Sequence, residues 1–177
     1  KVSATQSTVY VEPEGDCDMD GAFAAMELVF GVVSLTRAMA CEKDKDAMLE
    51  AAKRYLGEDL ARAKSFKVET KRADKRFPMT STEISQYVGG HLSEAFPHLK
   101  VDLHIPEFTV RIEVREMAAY VHANALPGAG GMPVGSNGRA VTLLSGGIDS
   151  PVASYMIARR GIHLVPVHFF SFPYTSE

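Results

Sequence analysis

The run Ala140-Val141-Thr142-Leu143-Leu144, followed at once by Ser145-Gly146-Gly147-Ile148-Asp149-Ser150-Pro151, constrains this chain more than any other stretch. The nearly unbroken apolar run reads as a strand buried on both faces of a parallel sheet. After the loop, Val152, Tyr155, Met156 and Arg159 fall at helical spacing from Pro151 onward, and Gly161 ends that helix. Leu164 to Phe169 reads as a second apolar strand. Strand, loop, helix, strand is the opening unit of a doubly wound α/β fold, in which ligands bind at the carboxyl ends of the strands. The loop suits an anion. A helix start leaves amides unpaired and carries about half a positive charge. Gly146 and Gly147 permit positive φ and keep side chains out of the way of an approaching phosphate. Ser145 and Ser150 add hydroxyl donors, and Pro151 forfeits no hydrogen bond in a first helical turn. Asp149 is unfavourable beside phosphates unless it holds Mg²⁺ or caps the helix. No Gly-Lys-Ser/Thr follows, so the loop is not a Walker A motif.

Upstream, the pattern changes from continuous to amphipathic. Val9 and Val11 flank Tyr10 in a strand, and Asp20 is placed to cap a helix through Phe23, Met26 and Phe30 that Gly31 closes. Val33 to Ala40 reads as extended. A helix from about Asp44 carries Leu49, Ala52, Leu56, Leu60 and Ala63 on one face. Phe66, Val68 and Thr70 then point inward from a strand, with Lys67, Glu69 and Lys71 outward. Thr80-Ser81-Thr82-Glu83 is a capping box opening a helix whose stripe runs Ile84, Tyr87, Val88, His91 or Leu92, and Ala95. Gly89-Gly90 within it marks a helix interruption or a close backbone approach, RNA included. Val101-Leu103-Ile105, Phe108-Val110-Ile112-Val114 with Thr109 outside, and Ala119 to Ala123 complete an αβαβββ order, which predicts helices on one face of a mixed sheet. Leu126 to Gly138, rich in glycine and proline, reads as a linker, and its prolines argue against a dinucleotide loop at Gly128-Ala129-Gly130.

The net charge of −3 conceals one strongly basic run: Arg62 to Arg76 holds seven basic residues against Glu69 and Asp74. Lys67, Lys71, Arg72, Lys75 and Arg76 are candidates for phosphate contacts, which release counterions and give salt-dependent affinity. Phe77 beside them either stacks on a base or is a buried ring. Cys17 and Cys41 make neither a disulfide framework nor a metal cluster and fit a reduced, cytoplasmic protein. No run approaches the roughly 20 apolar residues of a membrane span. The chain opens on Lys1 without an initiator Met and closes just after a strand, so we expect a fragment.

The loop resembles the PP-loop, SGGxDS, of the ATP pyrophosphatases, which split ATP between its α- and β-phosphates and adenylate an oxygen of the substrate. The resemblance reaches further, to the tRNA 4-thiouridine synthetases (tRNA sulfurtransferases). It is carried by Lys67-Val68, Thr70 to Asp74, Val88-Gly89-Gly90-His91, Phe96 to Leu103, Gly130 to Gly135, Ser145 to Ala153, His168-Phe169 and Pro173 to Glu177. It implies a partial ferredoxin-like domain over 1–41, an α/β THUMP RNA-binding domain over 42–124, a linker over 125–138, and the start of a PP-loop domain over 139–177. The class is therefore α/β and α+β. It further implies that Leu143, Leu144, Ser145, Gly146, Gly147, Ile148, Asp149, Ser150, His168 and Phe169 bind the nucleotide. Asp149 and Ser145 would be catalytic, ATP and Mg²⁺ the cofactors, and tRNA the macromolecular partner. Sulfur would arrive as a cysteine persulfide from a cysteine desulfurase, with onward passage to a thiamine sulfur-carrier protein, in a homodimeric cytoplasmic enzyme. The family's sulfur-handling cysteines match neither Cys17 nor Cys41, so the 177 residues alone are expected not to turn over. Two other classes remain: a PP-loop enzyme acting on a free metabolite, and an RNA-binding module without catalysis.

Overall fold

The computed structural model of the chain describes residues 1–5 and 8–170. In chain order, β1 (Val2–Thr5), β2 (Thr8–Val11), α1 (Met19–Glu27) and β3 (Ser34–Leu35) come first. They are followed by β4 (Ala38–Cys41), α2 (Lys45–Arg62), β5 (Ser65–Arg72), α3 (Ser81–Ala95), β6 (Lys100–Val101), β7 (Phe108–Val114) and β8 (Ala119–His122). The last elements are β9 (Leu126–Pro127), β10 (Arg139–Leu143), α4 (Asp149–Ala158) and β11 (His163–Val167). These fall into two compact units: Thr36–Ala125, and Lys1–Leu35 together with Leu126–Glu177.

In the unit Thr36–Ala125, both helices start where their caps dictate. Asp44 accepts from the amides of Asp46 and Ala47 at 2.8 and 3.1 Å. Thr80 and Glu83 close the reciprocal capping box, Thr80 N–H on Glu83 at 2.6 Å and Glu83 N–H on Thr80 at 3.2 Å. The mixed sheet has the order β4-β8-β7-β5-β6, with β5 parallel to both β6 and β7 and the other pairs antiparallel. α2 packs across β7 and β8, and α3 across β5. Between them Met48, Leu60, Phe66, Ile84, Val88, Leu92, Val110, Ile112, Val114 and Val121 are fully buried. Each such side chain contributes roughly 1.5–3 kcal/mol, so alternation and helical stripe together close this core.

Several details depart from the pattern. Leu92 takes the buried position, whereas His91 turns to the Tyr87 carbonyl, which accepts from its Nδ1 at 2.9 Å, and Ala95 is exposed. α3 runs through Gly89-Gly90 unbroken, and a Cβ on Gly89 would meet Val68 at 3.6 Å, so the close approach there is to β5. Residues 101–105 do not form a full strand. The Asp102 carboxylate accepts from the amides of His104 and Ile105 at 2.9 and 3.0 Å, a local turn that competes with the ladder and leaves Leu103 and Ile105 exposed. Thr109 is buried rather than outward.

In the other unit, β1 and β2 form an antiparallel hairpin, and α1 is capped by Asp18, which accepts from Gly21 N–H at 2.8 Å; Asp20 lies in the first turn instead. α1 ends at Glu27, before Gly31. The extended stretch 33–40 divides between two sheets: β3 pairs with β9, and β4 with β8. The glycine-rich segment is folded onto the unit and is not a loose tether: Met132 N–H donates to Arg159 O at 2.9 Å and Asn137 N–H to Gly161 O at 2.9 Å. α4 ends at Ala158, before Gly161, which turns the chain at φ 85°, where a side chain would be strained. β10 and β11 pair in parallel from Arg139–His163 to Leu143–Val167. α4 begins at Asp149, two residues before Pro151, and β11 stops at Val167. Val141 and Leu143 are 67% and 63% exposed and α4 buries no residue, because this sheet has only two strands. The double-sided burial expected of the apolar run is not met by the described residues.

Candidate functional site

The loop after β10 emerges at the carboxyl ends of the two parallel strands. Leu144 N–H donates to Val167 O at 2.9 Å, and His168 Nδ1 lies 2.8 Å from Leu144 O. A carbonyl oxygen only accepts, so Nδ1 carries the hydrogen and Nε2 is left as an acceptor in the neutral ring. Leu143, Leu144, Ser145 to Ser150, His168 and Phe169 thus gather at one end of the β10-α4-β11 unit, with Leu143, Ile148 and Phe169 exposed.

Inside the loop, Ser145 N–H donates to Ser150 Oγ at 3.0 Å. The Ser150 hydroxyl is 3.2 Å from Ser145 Oγ, against a poorer 3.5 Å from Ser145 O, and Gly147 N–H reaches Ser145 Oγ at 3.4 Å. Either hydroxyl can donate in the Ser145–Ser150 contact, so the two side chains form one adjustable pair beside the helix head. No side chain caps α4, so the amides at its head keep their donors and the positive end of the dipole faces outward. Asp149 is the first helical residue and does not cap, which removes one of its two expected roles. Among the described residues no cluster of three or more His, Cys, Asp or Glu exists to hold a metal. One carboxylate shared with substrate phosphates is nevertheless an ordinary way to hold Mg²⁺. Gly147 does not use positive φ, contrary to the expectation, and a Cβ there would sit 3.6 Å from Ser145 Oγ, an ordinary contact. The chain itself does not demand glycine at 147; its bare backbone is of use to something approaching from outside.

In the unit Thr36–Ala125, the basic candidates separate. Lys67 Nζ pairs with Glu69 at 2.6 Å. Arg72 is committed to the fold, its Nη1 donating to Phe77 O at 2.8 Å and Met79 O at 2.9 Å. Arg76 meets Asp74 and Glu116, both at 3.2 Å, yet its side chain stays 75% exposed. Lys71 and Lys75 are exposed and form no ion pair among the described residues. Asp74, nearly buried, is the hub: Lys43 Nζ at 2.8 Å and the Arg76 amide at 2.9 Å hold its carboxyl well below the usual carboxylate range. Around it runs an open groove of about 590 Å³ lined by Lys43, Lys45, Arg76, Phe77 and Met79. Phe77 is half-buried against the core and still reaches this groove. Lys43 and Lys45 were missed by a reading confined to Arg62–Arg76; the signal was their position flanking the helix cap at Asp44.

Cys17 is exposed and Cys41 half-buried, with burial and then Glu42 pushing the Cys41 thiol up. A raised thiol is the opposite of the activated thiolate that sulfur chemistry needs, so Cys41 is not built for it. Among the described residues no helix is long and apolar enough to cross a membrane.

The model of the THUMP domain matches residues 42–123, and that of the thiamine biosynthesis protein (ThiI) matches residues 135–177. The matched residues Pro173 to Glu177 lie outside the described structure. A probable tRNA sulfurtransferase of Acetivibrio thermocellus is 44% identical over 180 residues, covering 100% of this chain and 46% of that protein. The one of Lysinibacillus sphaericus is 41% identical, covering 99% and 44%. A crystal structure of a 4-thiouridine synthetase–RNA complex with bound ATP matches with a TM-score of 0.86 at 30% identity, over 100% of this chain and 46% of that one. A structure from Pyrococcus horikoshii matches at 0.79 and 27%, over 88% and 53%. The chain spans about half the length of the curated relatives it matches.

Proposed function

Because the chain belongs to the tRNA sulfurtransferase family, we propose that the full-length protein uses ATP to replace the 4-oxygen of a uridine in tRNA with sulfur, giving 4-thiouridine. The amides at the head of α4 and the Ser145 hydroxyl donate to the phosphate oxygens of ATP, where the helix dipole favours negative charge. Asp149 would be the residue to hold Mg²⁺, which when bound would supply positive charge beside the phosphates. Uridine O4 attacks the α-phosphorus and pyrophosphate leaves, so the base carries AMP at C4. The terminal sulfur of a cysteine persulfide, charged by a cysteine desulfurase, then attacks C4 and AMP departs with O4, leaving that sulfur bonded to both C4 and the carrier cysteine; a second thiol attacks the carrier cysteine's sulfur, which frees 4-thiouridine and leaves a disulfide that an external thiol reductant reopens. Neither Cys17 nor Cys41 is that cysteine. The family likeness adds sulfur delivery to a thiamine sulfur-carrier protein, a homodimer and a cytoplasmic setting.

tRNA docks on residues 42–124, with Lys71, Lys75 and Arg76 meeting phosphates and the groove by Lys43, Lys45 and Phe77 beside them. Arg72 and Lys67 serve the fold and the sheet face first. The ferredoxin-like reading of 1–41 fits the hairpin, α1 and β3, while β4 pairs into the neighbouring sheet.

The observation that carries this reading is the helix head left without a side-chain cap behind the paired hydroxyls of Ser145 and Ser150. In the full-length enzyme, Asp149→Ala should lower ATP-dependent tRNA thiolation by about a hundredfold or more, in line with loss of a transition-state charge contact, with tRNA affinity intact. Undiminished thiolation by that variant would remove the site.

A further inference from the structure

Ser154 Oγ lies 2.7 Å from the carbonyl oxygen of Ser150, one helical turn before it. A carbonyl cannot donate, so Ser154 spends its single hydrogen there. Thr142 Oγ1, 3.0 Å from Ser154 Oγ, must therefore be the donor in that contact. The direction of the relay is fixed: Thr142 to Ser154 to the Ser150 carbonyl. Among the described residues this is the one side-chain hydrogen bond joining β10 to α4. Ser150 is the pivot between strut and loop, because its hydroxyl takes the Ser145 amide hydrogen at 3.0 Å and lies against Ser145 Oγ at 3.2 Å.

We propose that Thr142 and Ser154 are positioning residues for the nucleotide loop. Their half-buried hydroxyl strut sets the first turn of α4 against β10, and through Ser150 it aims the Ser145 hydroxyl and the head-of-helix amides at the phosphates. This rests on the reading of the loop as an ATP site. Neither residue belongs to the cradle itself: Thr142 sits in the middle of β10 and Ser154 one turn along α4. A serine bonding back four residues is in isolation a common helical feature that bends or slightly weakens a helix. The donor arriving from the strand is what turns it into a brace.

The test uses the full-length protein with calorimetric binding of MgATP, filter binding of tRNA and thermal unfolding. Thr142→Val keeps the shape and deletes the donor; Ser154→Ala deletes the middle of the strut and serves alone if Thr142→Val does not fold. Either should raise the Kd for MgATP about fivefold to tenfold, the weight of one or so hydrogen bonds. The Kd for tRNA should stay within about twofold, and Thr142→Ser should restore ATP binding, which a loss of mere packing volume would not allow. Unchanged ATP affinity in Thr142→Val and Ser154→Ala, alongside its loss in Gly147→Val, overturns the strut and leaves the nucleotide site standing. Parallel loss of ATP and tRNA binding with a lowered Tm and no rescue by Thr142→Ser also overturns it, as general destabilisation. If Gly147→Val itself binds MgATP normally, the nucleotide reading fails and the strut with it.

Discussion

In the unit Thr36–Ala125, Leu60, Phe66, Ile84, Leu92, Ile112 and Val121 are sealed from solvent, whereas in β10-α4-β11 the side chains of Val141, Leu143, Val152 and Tyr155 are all more than half exposed. Both regions are written in apolar residues, so composition does not separate them. What differs is the use made of the pattern. The alternating strands and striped helices of 36–125 find partners within 90 residues, and the domain holds its basic loop and groove by that packing. In the later unit, local hydrogen bonds gather two glycines and two hydroxyls ahead of a helix start that has no side-chain cap.

The largest expected difference is in stability. Phe66→Ala should cost about 3–5 kcal/mol, as for a fully buried aromatic side chain, while Val141→Ala in this 177-residue chain should stay within about 0.5 kcal/mol. Urea unfolding of the two variants checks this; similar losses for both would erase the contrast. An intermediate effect comes from Glu113 on the sheet face. The His122 imidazole and the Arg115 guanidinium, the latter at 2.9 Å through Nε, hold its carboxyl down at about 2. A lowered carboxylate pKa stabilises the fold above the ordinary range near 4.5 and loses that effect as pH falls to about 2. Glu113→Gln should be less stable by about 2 kcal/mol at pH 7, allowing for partial exposure, and the gap should close across that acid window. A gap that persists at pH 2 would mean the loss is steric.

The smallest effect is on RNA affinity. Lys71→Ala with Lys75→Ala should weaken tRNA binding modestly and flatten its salt slope by about one to two units, with stability unchanged. Arg72→Ala should do the reverse, lowering stability as the carbonyls of Phe77 and Met79 lose their donor. If Arg72 moves the salt slope and the two lysines do not, the assignment of free and structural cations is inverted.

Much of this was legible in the residues. Helix starts at Asp44 and Thr80 could be read because caps are short-range chemistry, and the mixed sheet with helices on one face followed from periodicity. The strand-loop-helix-strand order was readable for the same reason, while the grouping of Leu143 to Ser150 with His168 and Phe169 came from the family resemblance. What was not legible depended on distant partners. Val101-Leu103-Ile105 alternates like a strand, but Asp102 bends it through two local amides. The stretch 33–40 looks continuous, yet β3 and β4 answer to strands far along the chain, β9 and β8. Arg72 looks like any cation in a basic run until the loop folds its carbonyls onto it.

The central claim is that the amides at the head of α4 hold the phosphates of ATP. Hydrogen exchange of the full-length protein with and without MgATP tests it most directly. We expect exchange at Gly146 to Ser150 to slow on addition of MgATP while the core amides of 36–125 keep their rates. Unchanged exchange across 145–150 at saturating MgATP, with protection appearing elsewhere, would contradict the account.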